Sequence, residues 1–427
     1  MKPIKVVLCS YSFGIGNGIA HADSSLIDGI DKNYFTLKPF VLRPDFAPGR
    51  VENDGRSSHI SLLDAYAVLR EESRDADVLQ FNGAFDPVAA NAAAASGVPG
   101  IVEVMHQMET GGLHEAVDNV VCVSELVHSV QTHEQAVVIF NGIDVGKFSF
   151  QPGRRDQEEV RVIQVANASK ALHYELSELA AQLDNPALRQ LVVGDRKPAS
   201  GVPSLGVVED MPPVYHNADL LCLIERRSAF GLVFAEAMAC GTLPIISSDS
   251  GAVAFVRHGE TGWVVYPLTP EAACSTLREA VNTVGSAQFV EMQYAARKLI
   301  ESRFSRERML SDYQKLWATA AERPRKAKRP PTSWMNLMLF ELLIRDGNPR
   351  ATQLLKAWLD DPRTLEPHFM RQPLGQLVLV HALRDICPQM LKLGQNSLVQ
   401  AMCAKLRHSR CITPLLDQVA RQADCHV

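Results

Sequence analysis

The sequence predicts an α/β chain of two doubly wound units, each a parallel sheet covered on both faces, followed by an all-α extension. Three observations carry this. The chain has 427 residues, and single cores rarely grow past about 250–300, so at least two domains are expected. Short continuous apolar runs alternate with helical patterns, as strands buried on both faces do. A polar stretch at 151–159, QPGRRDQEE, interrupts the alternation, which then restarts.

In the first unit, the β-rich run IKVVLCS predicts a strand over 4–10 that ends in a glycine loop, followed by a helix over 20–30. Further strands are expected over 35–42, 78–81, 100–105 and 120–124, with helices over 62–74 and 87–96. The unit closes near 137–148, VVIFNGIDVGKF. In the second unit, strands are expected over 160–165, 190–193, 220–224 and 243–247, and helices over 174–183, 233–239 and 270–284. Residues 289–321 read as one long helical tail. The basic, proline-rich run RPRKAKRPP at 323–331 reads as a solvated linker, with a patch for an anionic acceptor or lipid headgroup as the alternative. From residue 333 the pattern is helical, as over 334–345 and 350–359. The run WMNLMLF at 334–340 is apolar on more than one face and must be buried, on the chain's own domains or in a homo-oligomer or partner interface. The expected boundaries are therefore 1–150, 151–321, a linker at 322–332 and a helical extension at 333–427.

Composition narrows the class. A net charge of -5 gives no general pull toward nucleic acid or anionic lipid. The nine cysteines are scattered, none is spaced CxxC, and several sit in apolar runs (VVLCS, VVCVS, LLCLI). Such cysteines behave as small buried hydrophobes, which points to a reducing, cytoplasmic setting and away from a disulfide framework or a zinc site. No secretory signal opens the chain and no run of ~18 apolar residues is present, so no membrane span is expected. Peripheral membrane contact stays open.

The chemistry concentrates in 228–265, SAFGLVFAEAMACGTLPIISSDSGAVAFVRHGETGWVV: a loop, a helix, a glycine stop, a strand and a turn. Phe230, Gly231 and Leu232 open the helix, and Gly241 ends it. Free N–H groups at a helix start attract phosphate, and glycine allows close approach. Glu236 is expected near the first turn, where a carboxylate complements the helix dipole and is also placed to accept from ribose hydroxyls.

This segment resembles the donor-binding motif of retaining GT-B glycosyltransferases of family four. The run Ala235-Glu236-Ala237-Met238-Ala239-Cys240-Gly241-Thr242 and the run Arg257-His258-Gly259-Glu260-Thr261-Gly262 follow the family. The resemblance implies that Glu236 holds the ribose and that Phe230, Gly231, Leu232 and Val233 line the donor site. Ser228 stands where the family has its first Glu, bringing a hydrogen-bonding hydroxyl without charge. Glu225, three residues earlier, is the carboxylate that a rearranged loop would bring in. Asn141-Gly142-Ile143-Asp144 resembles the family's interdomain signature, and it also reads as a plain turn between strand and linker. Lys170 stands where the family places a lysine on the donor diphosphate, while the partner arginine a few residues earlier is absent. The backbone at Val207 and Val208 corresponds to the base-contacting loop. In the first unit, Gly16, Asn17 and Gly18 of a weak GxG loop correspond to the diphosphate-facing loop, and His106 to a histidine beside the sugar. Ser124-Glu125 matches a turn read as structural.

The resemblance covers residues 1–320 and not the extension. It implies an α/β GT-B fold with donor bound mainly by the second unit and acceptor by the first. The implied activity is metal-independent, retaining transfer from a nucleoside diphosphate sugar to a hydroxyl acceptor, with bacterial surface glycan as the default acceptor. No cofactor is implied, since the nucleotide sugar is a substrate. The missing first Glu and missing Arg keep a second reading open: a catalytically weak nucleotide-sugar-binding or scaffold protein of the same fold.

Overall fold

The computed structural model describes residues 2–10, 18–43, 46, 49–61, 64–82, 87–108, 116–152, 159–168, 170–199, 201–329, and 387, 391, 396, 397, 399, 400, 403, 419 and 421. The first half runs β1 (Ile4–Ser10), α1 (Gly18–Gly29), β2 (Phe35–Arg43), β3 (Val51–Asn53), β4 (Ser58–Ser61), α2 (Ala65–Glu72), β5 (Val78–Asn82), α3 (Pro87–Ser96), β6 (Gly100–Met105), β7 (Asn119–Cys122), α4 (Glu125–His128) and β8 (Ala136–Val138). Its eight strands lie in the order β3-β4-β2-β1-β5-β6-β7-β8. All neighbours are parallel except β3 and β4. The central strands β5 and β6 are buried along their whole length, as a sheet covered on both faces requires.

The second half runs β9 (Val160–Val165), β10 (Leu172–Tyr174), α5 (Leu176–Leu183), β11 (Leu188–Val193), α6 (Pro212–His216), β12 (Leu220–Glu225), α7 (Leu232–Cys240), β13 (Leu243–Ser247), β14 (Trp263–Val265), α8 (Pro270–Thr283), α9 (Ala287–Arg303) and α10 (Arg306–Ala321). Strands β11-β9-β12-β13-β14 form a parallel sheet, and β10 pairs antiparallel with β12. The fold is thus α/β with two mainly parallel sheets.

Four expectations are corrected. The helix expected from 174 begins at 176, because residues 172–174 form the half-buried strand β10 against the end of β12. The single tail over 289–321 is two helices. Buried Phe304 leaves helical geometry, and Ser305 caps α10 by accepting from Arg308 N–H. That last helix packs on the first sheet, not on the second. Trp317 Nε1 donates to Gln80 Oε1 at 2.8 Å, its ring lies 5.8 Å from that of Phe35, and a Cβ on Gly100 would stand 2.6 Å from that of Ala320.

The fourth correction concerns the basic run. Residues 323–329 are not a solvated linker, because side-chain and backbone hydrogen bonds fasten them along the starting ends of the first sheet's strands. Lys326 Nζ donates to the Ala116 carbonyl at 2.9 Å and pairs with Asp118, and Arg323 donates to Asn119 Oδ1 at 3.0 Å. Arg325 reaches the Ala76 carbonyl, and the N–H groups of Lys326 and Arg329 donate to Gly97 and Ala94.

The polar stretch 153–158, the helices expected over 334–345 and 350–359, and most of the extension lie outside the described residues. The extension's described positions are helical, and Cys387, Val399, Cys403 and Val419 are buried. The seven described cysteines are buried. Among the described residues no helix is long and apolar enough to cross a membrane.

Candidate functional site

A cleft of about 760 Å³ opens at the carboxyl ends of strands from both sheets, where ligands of open α/β sheets bind. Its lining contains His106, Lys170 and Glu236 together with Gly18, Val207, Val208, Ser228, Phe230, Gly231, Leu232 and Val233. The expected site residues are therefore brought together, with two exceptions: Gly16 and Asn17 lie outside the described residues.

The second-half wall is built on α7. Gly231 caps its start with φ 86°, a left-handed geometry that favours glycine, and Gly241 stops it with φ 99°. From Phe234 to Cys240 every residue is buried, so α7 presents to the cleft its start and, from the second turn, Glu236. The preceding loop is clamped from two sides. Gly251 N–H donates to the Ser228 carbonyl at 2.6 Å, and Ser124, which caps α4, donates its hydroxyl to the Ala229 carbonyl. The turn at Ser124 thus ties the first half to the loop that opens α7.

Glu236 lies in the second turn of α7, one turn deeper than expected, so a complement to the helix dipole is not its role. Its Oε2 accepts from Tyr215 Oη at 3.0 Å, and the carboxyl is buried. Burial pushes its pKa up to about 7, opposed by the Tyr215 hydrogen bond and by the charge of Lys147.

Lys170 follows β9 and holds its ammonium 2.8 Å from Glu225 Oε2, at the buried end of β12. Glu225 therefore does not replace the missing carboxylate at Ser228; it is the counter-ion of Lys170. The loop is braced by Arg196, which donates to the Lys170 carbonyl at 2.9 Å and pairs with Glu175, and by Asp195, which accepts from Ala168 N–H at 2.7 Å. Val207 is 69 % exposed beside half-buried Val208, leaving the backbone of this loop open to a flat ligand.

On the first-half wall, Gly18 starts α1 so close to α7 that a Cβ there would stand 3.0 Å from Leu232 Cδ1. His106 follows β6 half-buried. Its Nε2 is enclosed without a hydrogen-bond partner among the described residues, and burial pushes the imidazole down to about 4, so it is neutral near pH 7.

Three lining groups escaped sequence reasoning. Tyr215 carries Glu236, His21 lies one turn into α1, and Lys147 projects from the turn after β8. The signal for Lys147 was its place three residues after Asp144, in a segment read only as a turn.

The chain resembles known proteins in two ways. Residues 160–283 match the family profile of glycosyl transferases group 1. A D-inositol 3-phosphate glycosyltransferase of Rhodococcus jostii is 34% identical over 145 residues, 29% of this chain and 32% of the relative. An N-acetyl-alpha-D-glucosaminyl L-malate synthase of Bacillus anthracis is 27% identical over 114 residues, 26% of this chain and 29% of the relative. These matches span about a third of the curated relatives' length. Among solved structures, a glycosyltransferase from Rickettsia africae superimposes with a TM-score of 0.62 at 15% identity, covering 75% of this chain and 99% of that one. Anabaena HepE in complex with UDP-glucose superimposes with a TM-score of 0.58 at 18% identity, over 74% and 99%. The overall fold is shared with these structures.

Proposed function

We propose that this chain, a GT-B glycosyltransferase of the group 1 type, transfers a sugar from a nucleoside diphosphate sugar to a hydroxyl acceptor with retention of anomeric configuration. The observation that carries the reading is a convergence on one cleft. The start of α7, the Tyr215–Glu236 pair, Lys170 and His106, whose Nε2 has no partner among the described residues, all line it.

In this reading the base lies on the backbone of Val207 and Val208, and the ribose hydroxyls donate to Glu236. The diphosphate meets the free N–H groups of Leu232 and Val233. His106 and Ser228 hydrogen-bond the sugar. The acceptor enters from the first-half wall, beside Gly18. As the sugar–oxygen bond breaks, charge grows on the leaving diphosphate, and preorganised N–H groups with Lys170 stabilise it. The reading assigns that charge to protein groups instead of a metal ion, and it needs no cofactor. The domains follow as proposed units, 1–150 for the acceptor and 151–321 for the donor, with α10 returning to the first. The Rhodococcus and Bacillus relatives are named for D-inositol 3-phosphate and for N-acetyl-alpha-D-glucosaminyl L-malate. For this chain we assign a hydroxyl of a bacterial surface glycan.

The test is a thermal-shift screen with UDP-, GDP-, ADP- and TDP-sugars. A donor at ~100 times its dissociation constant adds roughly 2.7 kcal/mol of stability. No shift with any of the four would remove the reading. One observation favours binding without turnover: the cation at Lys170 is already neutralised by Glu225. Acceptor-stimulated release of nucleoside diphosphate separates the two readings.

Lys170→Ala is expected to lower kcat more than it raises the donor's Kd, because its partner charge develops in the transition state. It also leaves buried Glu225 without a counter-ion, so a loss of about 1–3 kcal/mol of stability is expected. The double variant Lys170→Met with Glu225→Gln recovers that stability without recovering turnover. Normal turnover in Lys170→Ala would sink the assignment.

A further inference from the structure

A nucleoside diphosphate brings two or more negative charges into the cleft, and the described lining carries two lysines to meet them, Lys170 and Lys147. They differ in what they already hold. The ammonium of Lys170 is paired with Glu225 at 2.8 Å, so the pair presents no net charge. Among the described residues Lys147 has no carboxylate partner. Its ammonium lies only over the ring of Phe148, 5.5 Å from the centroid. We infer that Lys147 is the uncompensated cation that receives the phosphates of the bound nucleoside diphosphate, an assignment that rests on the proposed reading of this cleft.

The backbone around Lys147 is built to hold it. Asp144 Oδ1 accepts from Gly146 N–H at 3.1 Å and from Lys147 N–H at 3.0 Å, while Asp144 Oδ2 is held by Arg306 at 2.9 Å. From the other side Arg297 donates to the carbonyls of Val145 at 3.0 Å and Phe148 at 2.6 Å. Two guanidinium groups, from α9 and α10, therefore fix a four-residue turn whose exposed side chain is a lysine that lines the cleft.

The position of the turn also suits phosphate. Phe148 packs on Tyr215, with ring centroids 6.2 Å apart, and Tyr215 donates to Glu236, so the turn is coupled to the ribose end of the site. Across the cleft stands α1, whose first residue Gly18 nearly touches Leu232 at the start of α7. The charge of Lys147 reaches both walls: it works with burial to lower the His21 imidazole, and it opposes burial at Glu236. Two helix starts and one ammonium without a carboxylate partner among the described residues thus face the same space, and their fields add for an anion.

The experiment is calorimetric titration of UDP, GDP, ADP and TDP, and of their nucleosides, into wild type, Lys147→Gln and Lys147→Arg at low and moderate salt. Lys147 makes no side-chain hydrogen bond among the described residues, so unchanged melting is expected and serves as the folding control. For whichever nucleotide binds wild type, Lys147→Gln should raise Kd about tenfold to a hundredfold, as loss of a charged contact does. The same variant should flatten the salt dependence and leave the nucleoside's Kd unchanged, and Lys147→Arg should recover most of the loss. An unchanged nucleoside diphosphate Kd in Lys147→Gln overturns the inference while leaving the proposed function standing. An equal loss for diphosphate and nucleoside also overturns it, since the turn would then merely shape the pocket. If none of the four nucleotides binds wild type, the proposed function fails and Lys147 falls with it.

Discussion

Replacing Glu236 by alanine is expected to weaken nucleoside diphosphate binding by roughly 1.5–3 kcal/mol, about ten- to a hundredfold in Kd, with the fold retained. The carboxylate is buried in the second turn of α7, accepts one hydrogen bond from Tyr215 and has capacity left for ribose hydroxyls. Its pKa of about 7 adds a second expectation. A folded-state carboxyl pKa above the unfolded value means that the ligand-free protein holds a proton the unfolded chain releases at lower pH. Glu236 therefore costs the free protein stability as pH rises from about 4.5 to about 7. Hydroxyl donors prefer the ionised form, so nucleotide affinity should rise over the same window. Glu236→Gln should keep a partner for Tyr215 and abolish that rise. Asp23, pushed up to about 7 by burial outside the cleft lining, also titrates here. Ligand affinity, not melting temperature, is therefore the measurement. Wild-type affinity that stays flat between about pH 5.5 and 8.5 would refute the role.

Gly251→Ala is expected to abolish measurable donor binding without removing any ligand-contacting side chain. A Cβ at this position would stand 1.9 Å from the Ala229 carbonyl oxygen and 3.0 Å from Ser124 Oγ. The nearest obstacle is backbone, so the loop from 228 to 231 must move, and the start of α7 moves with it. The Gly251 N–H bond to Ser228 and the Ser124 bond to Ala229 are strained together. A stability loss of about 1–3 kcal/mol accompanies such overpacking. Gly259→Ala is the matched control. That residue has φ 74° with nothing within 4 Å of its Cβ, so it should lose about 1 kcal/mol while binding donor normally. Calorimetry and melting on both variants decide the matter, and near-normal binding by Gly251→Ala would show that the clamp is unimportant.

Much of this architecture was legible because buried parallel strands are continuous apolar runs: the strands at 4–10, 100–105, 160–165 and 243–247 begin and end where the sequence places them. Short strands without fully buried side chains left no such trace. In β3, Val-Glu-Asn is exposed at all three positions, and in β10, Leu-His-Tyr is only half-buried. The cleft's lining was legible as motif, because glycines and Glu236 keep a fixed spacing along one helix. Ion pairing was not. Lys170 and Glu225 are distant in sequence and meet only because β9 and β12 are neighbours in the sheet. The basic run at 323–329 misled for the same reason: composition reports solubility, while carbonyls and Asp118 at the sheet's lower edge decide where those side chains go.

The seat of Trp317 between Phe35 and Gln80 has a consequence for how the chain is made. A ribosome releases β2 and β5 early, but the indole that fills the space beside them lies 237 residues beyond Gln80. At roughly 5–20 residues per second, that interval is on the order of 10–50 s. For that time the nascent first sheet carries an open apolar face and an amide without its partner. Folding on the ribosome therefore cannot finish in the order of synthesis. The second sheet must emerge before α10 can close the first, so the two halves reach their final state together, and until then the waiting face is open to aggregation.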